Sequence, residues 1–254
     1  PASYDLVGTD GGVFVFGNPN GFFGSLPGLG VHVSNVRGIV PTADEKGYYL
    51  VGTDGGVFAF GDAPFANSLP GIGVHVNDIV GIVPTSNGGY YLVGADGGVF
   101  AFGGAPFENS LPGLGIHVSN VVGIVPTTDD GGYWVVTATG TVYAFGDAGN
   151  LGSVANPAGP IVGIAATASG NGYWLVSANG TVYPFGAAAG FGTLPALHVA
   201  VSNIVAIVPT ADSNGYWLIG SDGGVFAFGD AGNAGSLPGL GIHVDNVVGA
   251  VPTA

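Results

Sequence analysis

Apolar residues in this chain do not alternate with polar ones; they arrive in short unbroken runs. GYYLVG (47–52) and GVFAFG (56–61) are apolar at nearly every step, and a polar, glycine-rich TDG separates them. Runs of four to eight apolar residues rich in Val, Ile, Tyr and Phe, bounded by turn residues, predict strands. The pair therefore predicts a β-hairpin. Asp-Gly sits at its tip in four places (Asp10-Gly11, Asp54-Gly55, Asp96-Gly97, Asp222-Gly223), with Asn179-Gly180 and Thr139-Gly140 in the other two. Such dipeptides between apolar strands are a strong hairpin signal, and a type I′ turn, which needs positive φ, is the expected form.

The hairpin recurs along the whole chain. Its tyrosine falls at Tyr4, Tyr48, Tyr90, Tyr133, Tyr173 and Tyr216, spacings of 44, 42, 43, 40 and 43 residues. Such a period belongs to solenoids, propellers or arrays. Each unit reads as four strands: A, of the type VVGIVPT (121–127); B, GYYLVG; C, GVFAFG; and a short D near FANSL (65–69). Because B and C are apolar on both faces, both faces must be buried. Sheets stacked face to face around an axis achieve that, whereas a sheet with one wet face would alternate.

The two ends of the chain are complementary. The last residues, VVGAVPTA, form a strand A with no B after it, and the first, SYDLVG, form a strand B with no A before it. Pairing them removes two open edges. The expected fold is therefore all-β, a six-bladed β-propeller of four-stranded blades. Residues 1–254 form a single domain of six repeats, and both termini close the first blade. A solenoid is the alternative, but it requires capping repeats, and none is visible.

Composition narrows the function. The chain has 51 glycines, 47% hydrophobic and only 7% charged residues. Its 15 Phe and 10 Tyr distinguish it from a disordered chain, which lacks aromatics. Two basic residues, Arg37 and Lys46, face sixteen acidic ones, a net charge of −14. Nucleic-acid binding, which needs several cations to neutralise phosphates, is excluded, and anionic membranes are disfavoured. No apolar run is long enough for a membrane-spanning helix, and no leader pattern is present. With no Met and a first residue Pro1, the chain reads as processed or as part of a larger polypeptide. Without Cys, it has no disulfides and no thiolate chemistry.

GYWLIGSDGGVFAFGDA (215–231) resembles the glycine- and aromatic-rich propeller repeats of secreted actinobacterial proteins, where such repeats accompany esterase, amidase or muramidase-like domains. The resemblance covers all six units. It implies a propeller outside or on the surface of the cell, and it implies no catalytic residue, because the repeats are the accessory part.

Candidate chemistry lies beside the hairpins. The segment before strand A, of the type LPGLGIHVSN (111–120), carries His32, His75, His117, His198 and His243, followed by Asn35, Asp78, Asn120, Asn203 and Asn246. These are expected at equivalent points around the channel mouth; the fourth unit, LGSVANPAGPIVGI (151–164), has no His. Read functionally, they form a broken ring able to hold a polar ligand or a cation, since neutral imidazole suits transition metals. Read structurally, each bonds backbone within its own loop. The structural reading is favoured, and no cofactor is implied. The Asp-Gly aspartates, and Asp62, Asp147 and Asp230, read as turn formers; Glu108 reads as a solvated loop charge.

Two residues break the repeat. Asp5 stands where other units have Tyr49, Tyr91, Trp134, Trp174 and Trp217, and Arg37 stands where others have Val80, Val122, Val162, Val205 and Val248. A compensating ion pair between Asp5 and Arg37 is the expectation. The favoured function is a non-catalytic extracellular module that binds a glycan, a peptide or a protein. The alternatives are a self-associating surface or filament subunit, and a hydrolase or lyase with its site at the channel mouth.

Overall fold

A computed structural model describes residues 2–253. These residues form six three-stranded antiparallel sheets. Sheet 2 is representative: an inner strand Val36–Pro41, a middle strand Gly47–Gly52 and an outer strand Val57–Gly61. The inner strands of sheets 3 to 6 are Ile79–Pro84, Val121–Pro126, Ile161–Ala166 and Ile204–Pro209. Sheet 1 is built from both ends of the chain: Val247–Pro252 is its inner strand, pairing Tyr4–Gly8, which pairs Val13–Phe16. Each inner strand packs on the inner strands of both neighbouring sheets, and Val247–Pro252 packs on Val36–Pro41, so the ring closes.

The core lies in the seams between sheets. In the seam between sheets 2 and 3, Tyr49, Val51 and Val40 pack on Tyr90, Leu92, Ile79 and Phe102. Equivalent clusters fill the other five seams. This is why the middle strands are apolar on both faces: all of Gly47–Gly52 is buried. An aromatic girdle runs through the seams. Each second-position aromatic packs on the tyrosine of the next sheet: Tyr49 on Tyr90, Tyr91 on Tyr133, Trp134 on Tyr173, Trp174 on Tyr216 and Trp217 on Tyr4, with ring centroids 5.0–5.8 Å apart. The polar tip of each donates to a carbonyl fifteen residues on, as Trp174 Nε1 does to Ala189 at 2.7 Å.

The expected fourth strand does not form. FANSL and its counterparts run outside the sheets as irregular chain, followed by a short 3₁₀ turn in every unit but the fourth. The physical reason is a residue with positive φ in the middle of each segment: Gly24 (131°), Asn67 (115°), Asn109 (102°), Gly152 (123°), Gly192 (131°) and Gly235 (122°). That conformation lies outside the β region and turns the carbonyl away from the outer strand. It points instead at the next sheet, where the tyrosine hydroxyl donates to it: Tyr48 to Gly24, Tyr90 to Asn67, Tyr133 to Asn109, Tyr173 to Gly152, Tyr216 to Gly192 and Tyr4 to Gly235. The segment therefore fastens one sheet to the next rather than widening its own. Burial pushes the hydroxyls of Tyr48, Tyr90, Tyr133 and Tyr173 up to about 12, which keeps them protonated donors.

The hairpin turn also differs from type I′. Only its glycine has positive φ (Gly55, 77°); Asp54 does not. Gly55 N–H donates to the Gly52 carbonyl and Gly52 N–H to the Gly56 carbonyl, the pattern of a type I turn followed by a left-handed glycine. The aspartate closes the loop as expected of a turn former: Asp54 Oδ1 accepts from Gly56 N–H at 2.9 Å, with equivalent bonds at Asp10, Asp96 and Asp222.

Candidate functional site at the axial mouth

Every inner strand carries a β-bulge one residue from its start. In sheet 2, Val36 pairs Gly52 and Gly38 pairs Val51, so Arg37 is the extra residue. The same shift isolates Val80, Val122, Val162, Val205 and Val248 in the other sheets. A bulge re-aims the side chain of its extra residue. These six side chains converge on the axis and line one cavity of about 330 Å³, together with Thr53, Asn77, Asp78, Ile79 and Ala95. The mouth is thus a ring of five half-buried valines interrupted by one arginine. Arg37, Val122 and Val205 also line the axial channel beneath it.

The rim is held by backbone. Thr53 N–H donates to the Asn35 carbonyl at 2.9 Å, and Ile79 N–H of the next sheet donates to the Thr53 carbonyl at 3.0 Å. The pattern repeats through Asp78, Asn120, Pro160, Asn203 and Asn246, and Thr9 N–H to the Asn246 carbonyl closes it. The circle of hydrogen bonds is continuous, two per sheet. In sheet 5 a proline serves as well as an asparagine, so the part played at this position is a main-chain one. The Asn35 side chain lies over Gly52, where an added β-carbon would come within 3.0 Å of its amide nitrogen.

The histidines are elsewhere. His32, His75, His117 and His243 are exposed, each followed by a half-buried valine, and none lines the mouth or the channel. His198 is not their equivalent. In the fifth unit the 3₁₀ turn Pro195–Leu197 ends on His198 itself, with φ 58°, where the other turns end on Gly30, Gly73, Gly115 or Gly241. Aligned on that turn, Ala200 holds the position of His32. His198 is thus a left-handed cap, which glycine adopts more readily. Among the described residues no group of three or more His, Asp or Glu could hold a metal ion.

Asp5 and Arg37 do not pair. Among the described residues the ion pair that forms is Lys46–Asp44, at 3.6 Å on the surface. Arg37 lies at the start of its inner strand, on the face of the hairpin turns. Asp5 lies opposite Val251, near the end of the inner strand of sheet 1. The two therefore sit toward opposite faces of the ring. Asp5 is 2% exposed, and its Oδ1 has no hydrogen-bond partner. Loss of water, and then the like charge of Glu45, push its carboxyl up to about 7. It occupies the place of a girdle aromatic, so the link to Tyr48 that would complete the girdle is missing.

Of the residues singled out from the sequence, two reach the mouth: Arg37 and Asp78. Both are departures from the repeat, Arg for Val and Asp for Asn, and they stand on adjacent sheets. The valine ring has a signal in the sequence, a valine at the same step before the inner-strand Gly or Ala of five units. The opposite face holds a wider depression of about 740 Å³, lined by Pro41, Pro84, Pro126 and Pro252 at the ends of four inner strands, and by Tyr49 and loops between inner and middle strands. Among the described residues no helix is long and apolar enough to cross a membrane.

No family model matches this sequence, and no curated protein does. Among solved structures, the chain is similar to the β-propeller domain of Myceliophteria thermophila Cps50 (Swd1), with a TM-score of 0.57 and 10% identity over 92% of this chain and 80% of that one. At that identity the likeness speaks for the fold alone: the ring of sheets is a β-propeller.

Proposed function

We propose that this chain is a non-catalytic six-bladed propeller module, working outside the cell, that binds a ligand at the axial mouth on the face of the hairpin turns. One observation carries the reading. The units share one strand and turn pattern, yet a cationic and an anionic departure line the same cavity, and neither is needed by the fold, since other units make the same bulge with Val and the same rim with Asn or Pro. Polar groups converging in a mainly apolar cavity of this size are the usual form of a small-ligand site. Among the described residues no aromatic ring lines the mouth, so they offer a glycan no stacking surface there. A peptide end or a small polar molecule fits better. The test is a ligand-observed and methyl NMR screen of sugars, peptides and small metabolites. The expected hits perturb the methyls of Val80, Val122, Val162, Val205 and Val248; a library that leaves all five unmoved refutes the reading.

A second reading has its own observation. Phe22, Phe65 and Phe107 are 55–58% exposed on the loops after the outer strands of sheets 1 to 3. Asn150, Gly190 and Asn233 take the matching places in sheets 4 to 6. A one-sided arc of exposed aromatics fits a protein partner or self-association. Light scattering tests it: concentration-dependent assembly, lost on Phe65→Ser, supports it, and a monomer at all concentrations removes self-association.

A further inference from the structure

We propose that the axial mouth takes a compact zwitterion with an apolar body, of the α-amino-acid type. The assignment rests on the mouth being a ligand site. Arg37 supplies a guanidinium, a fork of donors suited to a carboxylate. It is one of two basic side chains in a chain of net charge −14. Asp78, on the next sheet, supplies a carboxylate suited to an ammonium. Both line the same cavity, and no ion pair joins them. The remainder of the wall is largely Val80, Val122, Val162, Val205, Val248, Ile79 and Ala95, which offers a branched or short alkyl group an apolar surface.

The charges select the ligand. A simple anion is attracted by Arg37 and repelled by Asp78; a simple cation meets the reverse. A molecule bearing both charges satisfies both residues, and its uncharged part covers the valines. A neutral polyol can hydrogen-bond to both groups but compensates neither charge, and it leaves the valines facing hydroxyl groups.

The two variants that test this are already present in the repeat: Arg37→Val and Asp78→Asn install the residues the other units carry, so neither threatens the fold. Titration calorimetry of the intact chain with L-leucine, isovalerate, isobutylamine and glucose supplies the comparison, and valine methyl NMR locates the binding. The expected result is L-leucine binding at the mouth at least tenfold more tightly than isovalerate or isobutylamine. Arg37→Val abolishes it, and Asp78→Asn weakens it about tenfold, a difference of about 1.4 kcal/mol. Isovalerate binding as tightly as L-leucine, or L-leucine binding that survives Arg37→Val, overturns the proposal. If L-leucine is silent while another library compound moves the mouth methyls, the zwitterion assignment falls and the binding module stands. If nothing moves them, both fall.

Discussion

Asp5 makes the stability of this protein depend on pH in an unusual direction. Its carboxyl is held at about 7 in the folded chain against an ordinary 3.8, because it is 2% exposed, has an unpartnered oxygen and faces Glu45. The folded state therefore keeps a proton that the unfolded chain has given up. Whatever stability the protonated form has is complete below about pH 4 and is lost as pH rises toward 7; above that the loss is constant. A difference of roughly three units at about 1.4 kcal/mol each gives about 4 kcal/mol, an upper value if water enters the seam. Asp5→Asn removes the titration and keeps the shape. Denaturant unfolding of both proteins at pH 4.5 and pH 8 measures the effect, and taking their difference cancels the other carboxylates. The variant is expected to gain about 3–4 kcal/mol on the wild type between the two pH values, about 10 °C in midpoint for a chain of this size. A constant difference between the two proteins, or a carboxyl ¹³C titration of Asp5 centred near 4, refutes the reasoning.

Other outcomes follow from the same structure. Tyr48→Phe removes the hydroxyl that holds the Gly24 carbonyl and is expected to cost about 1–2 kcal/mol in chemical denaturation, with the fold intact by circular dichroism. Gly24→Ala is worse, more than about 2 kcal/mol, because φ is 131° and the added carbon meets Phe60 at 2.9 Å. His198→Gly places glycine in the left-handed cap and gains about 0.5–1 kcal/mol, whereas His32→Ala changes unfolding by no more than about 0.5 kcal/mol. Deleting residues after 246 strips the inner strand from sheet 1 and exposes an edge; cooperative unfolding is expected to disappear and aggregation to rise.

Much of the architecture was legible in the sequence because it rests on local rules repeated six times. The period of the tyrosines, the apolar runs that demand burial on two faces and the complementary ends led to a closed ring of sheets. FANSL has the composition of a strand and forms none, because its backbone is set by a positive φ at Asn67, where the carbonyl meets Tyr90 of the next sheet, a contact between units. His198 was placed with the other histidines by residue type; only the 3₁₀ turn shows that it stands in glycine's place, two residues out of register.

The candidate site divides in the same way. The sequence by itself determined that Asp5 and Arg37 break the repeat, while Asp78, grouped there with the asparagines, stands apart only when the structure places it at the mouth. It could not determine where those residues point. That was decided by the bulge in each inner strand, which turns Arg37 to the axis, and by the register of sheet 1, which leaves Asp5 in a seam toward the opposite face. Repetition specifies the blade, because each blade is a local solution to burying the same hairpin. Which odd residues meet is a property of the closed ring, where side chains from different units converge only after the last strand has paired with the first.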